Sequence, residues 1–288
     1  MLIAPVRAGR PHDVGRGQGA AGCPFCPGNE AATPPETLAE RPSGGPVDGR
    51  GWLVRAIPNK FPALAAHEGV HEVIISSPRH VGSFADLTDD EAGRAVAAWA
   101  TRLTAVADDP RELWPFLFLN QGAGAGASLH HSHAQLVALP VAPPRLVARD
   151  RAFAEASEAL LVVDAEDRAR RVLDTEAFVV WSPSVPPLSG TVRLAPREPA
   201  GSWDEGVDAV ELGAVLVRLF AAISSAFGTD DVNLMLYERP PGGTDRYHWH
   251  LDVVPRLGTL AGLELGTGVV AANVAPHDAA AALRAVLL

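Results

Sequence analysis

Short apolar runs bounded by proline and glycine recur along the chain, and longer stretches between them carry apolar residues at helical spacing. Residues 51–64 read as a strand entering a proline-bracketed turn, 72–76 as a second strand and 114–120 as a third. Between the last two, Thr88-x-x-Glu91 forms a capping box that predicts a helix to about Val106. The apolar residues 136–139 suit a further strand. Residues 146–176 are charged and alanine-rich and predict helix. Strands are then expected at 177–182, 190–196 and 232–237, with a helix from Asp208-x-x-Glu211 to Gly228 and a last helix over 276–288. Residues 1–22 read as a short strand followed by a loop.

The second half repeats the first. Strand, Pro-Arg, helix, strand, loop and His-x-His occur twice in one order. The step from Pro78 to His131 is 53 positions, and that from Pro196 to His248 is 52. Matching order and spacing predict an internal duplication. The expected fold is α+β: two tandem domains, 1–145 and 146–288, each a mainly antiparallel sheet with covering helices.

Composition narrows this picture. The chain of 288 residues is 47% hydrophobic and 20% charged, as a globular protein should be. A net charge of −10 argues against a general nucleic-acid binder. No apolar run reads as a membrane span. The start, Met1-Leu2-Ile3-Ala4-Pro5, shows no secretory pattern, so a cytoplasmic compartment is expected.

The chemistry concentrates in residues 120–135. Gly122, Gly124 and Gly126 alternate with alanine, a run that lets backbone N–H groups approach an anion. His131, His133 and Gln135 follow at every second position. On a strand, all three would point to one face. That constellation suits a phosphoryl or nucleotidyl group. Cys23 and Cys26 are the two cysteines; their spacing points to metal or redox chemistry, with a pair of free thiols as the plain alternative. Arg7 and Arg10 are either a solvated basic arm or phosphate contacts.

Taken together, these residues resemble the galactose-1-phosphate uridylyltransferase family, a two-domain branch of the histidine-triad superfamily. The resemblance rests on Ile3-Ala4-Pro5-x-Arg7-x-x-Arg10-Pro11, Cys23-x-x-Cys26, Asn59-x-Phe61-Pro62-Ala63-Leu64 and Ser77-Pro78-x-His80. It rests also on Asn120-x-Gly122, Gly126-x-Ser128-x-x-His131-x-His133-x-Gln135 and His248-x-His250. It implies that His133 attacks the α-phosphorus of a nucleotide sugar, releasing sugar 1-phosphate, and that a second phosphate acceptor collects the nucleotidyl group. Gln135 would donate to a non-bridging phosphoryl oxygen, and Ser128 and the glycine-loop amides (Gly122, Gly126) would serve the adjacent phosphate. Asn59, Asn120, Arg7 and Arg10 map to nucleotide and phosphate contacts. His80 and His131 would complete a Cys₂His₂ set for one structural zinc per subunit.

The resemblance further implies a homodimer. His248, His250 and Glu264, within Gly262-Leu263-Glu264, are its candidate substrate contacts; the other readings are core or supporting roles in the second sheet for the two histidines and a plain surface turn for 262–264. Some members hold a second metal through an acid downstream of the nucleophile. That region is Val147-Ala148-Arg149 here, so no second metal is expected. His131-Ser132-His133 replaces the usual His-Pro-His, a variant familiar from members like ADP-glucose phosphorylase. The leading expectation is uridylyl transfer between hexose 1-phosphates. A nucleotide-sugar phosphorylase using inorganic phosphate is the alternative, and a zinc-stabilised nucleotide-binding protein without turnover is a third. The family usually has another strand before the segment at Ile3, so the first strand is expected to be short or the start internal.

Overall fold

A computed structural model describes residues 2–9, 19, 22–156, 160–203 and 207–287. Ten strands form one antiparallel sheet: β1 (Leu38–Glu40), β2 (Val54–Pro58), β3 (Val70–Ile75), β4 (Trp114–Gln121), β5 (His133–Leu139), β6 (Arg171–Asp174), β7 (Phe178–Trp181), β8 (Val192–Pro196), β9 (Val232–Tyr237) and β10 (His250–Pro255). Their order is β1-β2-β3-β5-β4-β9-β10-β8-β7-β6. Read from the centre outwards, β4 matches β9, β5 matches β10 and β3 matches β8. The fold is therefore α+β, and the repeat read in the sequence is a pseudo-twofold arrangement of two five-strand sets. These sets share a ladder: Asn120 lies opposite Asn233 and Phe118 opposite Met235.

Two long helices cover one face, α1 (Asp89–Ala107) and α4 (Ala209–Phe227). The expected capping box of α1 is formed: Thr88 Oγ1 accepts from the Glu91 N–H at 3.2 Å, and Glu91 Oε2 accepts from the Thr88 N–H at 2.9 Å. Asp208 Oδ1 accepts from the Val210 and Glu211 N–H groups, and left-handed Gly228 closes α4. The helices cross where both are glycine. A Cβ on Gly213 would lie 2.5 Å from the Gly93 nitrogen, so nothing larger fits. Each glycine is the fifth residue of its helix, another mark of the duplication.

Strand alternation assigns the faces. Ile74, Leu117, Leu119, Ala134, Leu136, Leu194, Leu234 and Leu251 pack toward Trp99 of α1 and Leu216 and Phe220 of α4 in one continuous core. Burying each such large side chain contributes about 2 kcal/mol. The residues between them therefore face the other side: His71 and Val73 on β3, His133 and Gln135 on β5, Asn120 on β4, His250 and Asp252 on β10.

Four expectations need correction. Residues Pro5–Gly9 form a 3₁₀ turn instead of a strand, because Pro5 presets a helical φ and brings no donor for a ladder. The stretch at 146–176 is not all helix. After α2 (Pro144–Glu155) and α3 (Leu160–Ala165), residues Arg171–Asp174 are β6, with Val172 buried and the run paired to β7. The strand carrying His133 begins at that residue, so His131 precedes it. The Ser132 N–H donates to the Val81 carbonyl and its own carbonyl accepts from the Ser76 N–H, which ties this pair to the segment after β3. Finally, α4 is long and apolar enough by length and composition to cross a membrane. Its apolar side is packed against α1 and the sheet, with Leu212, Val215, Leu219 and Ile223 buried.

Candidate active site and metal cluster

A cavity of about 290 Å³ opens at the start of β5, on the sheet face away from α1 and α4. His133, Gln135, Ser128 and Asn59 line it, as do Phe25, Lys60 and Phe61. Four of the residues read from the sequence thus line one cavity. His133 Nδ1 lies 2.7 Å from the His131 carbonyl oxygen. A carbonyl only accepts, so this nitrogen carries the proton and, in the neutral ring, Nε2 carries the lone pair. The Phe25 ring meets the imidazole edge-on at 5.2 Å and restrains it.

The same reasoning fixes His131. Its Nε2–H donates to the Ser77 carbonyl at 2.9 Å, so Nδ1 is the bare nitrogen. That atom lies 3.5 Å from Cys23 Sγ and 3.7 Å from Cys26 Sγ, while His80 Nδ1 lies 3.3 Å from Cys26 Sγ. All four ligand atoms fall within 4.8 Å of one another. Usual zinc–sulfur and zinc–nitrogen lengths in a tetrahedron separate S from N by about 3.6 Å. The cluster fits a four-coordinate ion with no open position. Burial, then the neighbouring Cys23, pushes the Cys26 thiol up to about 12, and burial pulls His131 down to about 4. A dication among these atoms reverses the penalty on the thiolate. His131 thereby links the cluster to the nucleophile candidate two residues on.

Gln135 has one orientation. Its Oε1 lies 3.1 Å from His71 Nε2 and 3.4 Å from Asn59 Nδ2, so its NH₂ is the part presented to the cavity. Asn120 is oriented from the second half: Asn233 Nδ2 donates to its Oδ1 at 2.7 Å. With Gly122, Asn120 borders a small hollow on the other side of His133. Arg7 is tied to this region by a bond from Nη1 to the Phe61 carbonyl at 3.4 Å. Arg10 lies outside the described residues.

The glycine run differs from expectation. Gly122 and Gly126 are left-handed, at φ 78° and 84°, so glycine is required for the turn. Its amides are largely spent within the protein. The Gly124 N–H donates to Asp231 Oδ1 at 3.0 Å and the Ala127 N–H to the Gly122 carbonyl. A carboxylate from the second half thus takes up the Gly124 amide. The candidate substrate contacts also lie elsewhere. His248 and His250 are buried in the second half; the His248 Nε2–H donates to the Pro196 carbonyl, and Arg149 Nη1 meets His250 Nε2 at 2.5 Å. Arg149 itself stacks on the Tyr237 ring at 3.8 Å. Glu264 borders a separate hollow with Ser189 and Asn273.

Ala32, Thr33 and Pro34 form the cavity's outer wall, which the sequence did not reveal. A buried ion network backs it. Glu36 accepts two bonds from Arg41 and one from Arg55, and Arg55 Nη1 donates to Thr33 Oγ1. Burial raises the Glu36 carboxyl, but the arginine bonds outweigh it and hold it down to about 2. Its folded value is below its unfolded one. Its stabilisation is therefore complete above about pH 4.5 and lost as pH falls toward 2. Glu36→Gln is expected to lower Tm at pH 7, with the gap to wild type closing below about pH 4 in thermal melts. A gap independent of pH would refute this role.

Comparison with known proteins agrees with this geometry. A family model described as galactose-1-phosphate uridyl transferase, N-terminal domain, matches residues 56–143. ADP-glucose phosphorylase of Arabidopsis thaliana is 28% identical over 321 residues, covering 100% of this chain and 90% of that protein. A solved galT-like protein from Arabidopsis thaliana superposes with TM-score 0.82 at 30% identity, over 92% of each chain. ADP-glucose phosphorylase from the same plant, solved with bound ADP-glucose, gives TM-score 0.83 at 29% identity over 97% of this chain and 93% of that one.

Proposed function

Because the chain belongs to the galactose-1-phosphate uridylyltransferase family, we propose that it transfers a nucleotidyl group from a nucleotide sugar to a phosphate acceptor through His133. The carrying observation is the bond from His133 Nδ1–H to the His131 carbonyl, which assigns the lone pair to Nε2 at the cavity wall. In the first step Nε2 bonds to the α-phosphorus, and the bond from that phosphorus to the sugar 1-phosphate oxygen breaks. Sugar 1-phosphate leaves with the electron pair. In the second step an acceptor phosphate oxygen attacks the same phosphorus, and the phosphorus–nitrogen bond breaks, restoring the imidazole. The Gln135 NH₂ and the Ser128 hydroxyl line the same cavity and supply donors where charge builds on the phosphoryl oxygens. The ion we assign to the cluster is zinc, one per chain; when bound, it cross-links Cys23, Cys26, His80 and His131 and supplies no reactive position.

For the finer assignment we favour a phosphorylase acting on an ADP-sugar, with inorganic phosphate as acceptor. Similarity along the whole chain to ADP-glucose phosphorylase and the serine at residue 132 support it. Uridylyl transfer to a hexose 1-phosphate is the second reading, supported by the family model over residues 56–143. Incubation with ADP-glucose or UDP-glucose, each labelled in the α-phosphate, separates them. The expected result is protein-bound label from ADP-glucose, discharged as ADP by inorganic phosphate. Label from UDP-glucose, discharged by galactose 1-phosphate alone, would replace the first reading by the second. No label from either would defeat both.

A further inference from the structure

His71 lies on the cavity face of β3, beside the pair formed by Val73 and Gln135 across the β3–β5 ladder. It is buried and does not line the cavity. Its hydrogen bonds leave one tautomer. The Ala63 N–H donates to Nδ1 at 2.9 Å, so Nδ1 is bare and the proton is on Nε2. That Nε2–H points to Gln135 Oε1 at 3.1 Å. Asn59 is fixed in turn, because its Oδ1 accepts from the Phe61 N–H at 2.8 Å; its NH₂ lies 3.0 Å from His71 Nε2 and reaches the same Gln135 oxygen at 3.4 Å. The turn at residues 59–63 therefore orients two donors onto one acceptor.

We infer that His71 is a positioning residue that holds the Gln135 amide with its NH₂ toward the transferring phosphoryl group. An amide can rotate by half a turn with almost no change of shape. In the reversed state Gln135 would present its carbonyl oxygen to an anionic phosphoryl oxygen and its NH₂ to two other donors. His71 makes that state costly before substrate arrives. A donor fixed in advance spends nothing on reorganisation as charge develops. The inference rests on the proposed nucleotidyl transfer for its consequence, and on the hydrogen-bond geometry alone for its structure.

The two nitrogens of His71 can be tested separately. Asparagine can reproduce the Nδ1 position and glutamine the Nε2 position. His71→Asn keeps a partner for the Ala63 N–H and loses the donor to Gln135; His71→Gln does the reverse. His71→Asn is expected to lower kcat about 30-fold with KM within about threefold, and His71→Gln to stay within about threefold of wild type. In a Gln135→Ala background, His71→Asn should cost less than about twofold more. Equal damage from both substitutions, or losses that multiply in the double variant, would overturn the inference. Nitrogen-15 spectra of the full chain at about pH 8 supply a readout free of turnover: His71 should show the Nε2–H tautomer. An Nδ1–H tautomer or an imidazolium there would overturn it too. If wild type transfers no nucleotidyl group, the proposed function fails, and the spectra alone decide the placement of His71.

Discussion

Alanine at residue 133 abolishes covalent capture of the nucleotide and lowers turnover by about 10⁴-fold or more. The size follows from losing the only step that divides the displacement in two, and from the scale seen when an enzyme nucleophile is deleted. His133 is buried between the His131 carbonyl and the Phe25 edge, so the substitution leaves a local void without removing a strand contact. The fold and nucleotide binding should survive. Filter-binding of α-phosphate label, with circular dichroism and a binding isotherm on the same variant, checks both halves. A labelled His133→Ala protein would mean that another group is the nucleophile. Wild type and variant releasing sugar 1-phosphate equally slowly would favour a nucleotide-binding role without turnover.

Stripping the metal is expected to be the largest stability change. The Cys23–Cys26 loop, the segment after β3 and the residue two before the nucleophile are joined by these four side chains. Without an ion, two buried thiols, the buried His131 and the half-buried His80 are left with only weak bonds among them. A loss of about 3–5 kcal/mol is reasonable for a closed structural site within a larger fold. At roughly 2–4 °C per kcal/mol for a chain of this size, Tm should fall by about 10 °C. Calorimetry with and without a strong chelator, alongside elemental analysis showing one zinc per chain, measures it. A disulfide account predicts the opposite sensitivity: reductant would lower Tm and chelator would not. Replacing Cys26 with alanine should reproduce the chelated state. It should also reduce activity, because His131 then loses its anchor two residues before His133.

Local signals carried much of this in the sequence. Thr88 and Glu91, Asp208 and Gly228 each mark a helix end through bonds to nearby backbone, and all are formed. His133 and Gln135 share a face because strand alternation needs no knowledge of the partner strand. What escaped notice depends on distant residues. His71 gains meaning only when β3 pairs with β5. Asp231 reaches the glycine run only because β9 sits beside β4. Regular pairing begins only at His133, because the Ser132 N–H turns to Val81 while its carbonyl still takes the Ser76 N–H, so alternation alone does not place His131. Val172 and Leu173 looked helical within an alanine-rich stretch, and the free edge of β7 made them a strand.

The shared ladder between β4 and β9 bears on the history of the molecule as well as its shape. The two halves repeat one another, and they join in a single continuous sheet. Residues 1–145 expressed alone would bare the β4 edge and the glycine-faced side of α1, a template for adding strands from other chains. Such a fragment should precipitate or pair with a second copy of itself. That second outcome would rebuild a ten-strand sheet of the same order from two identical pieces.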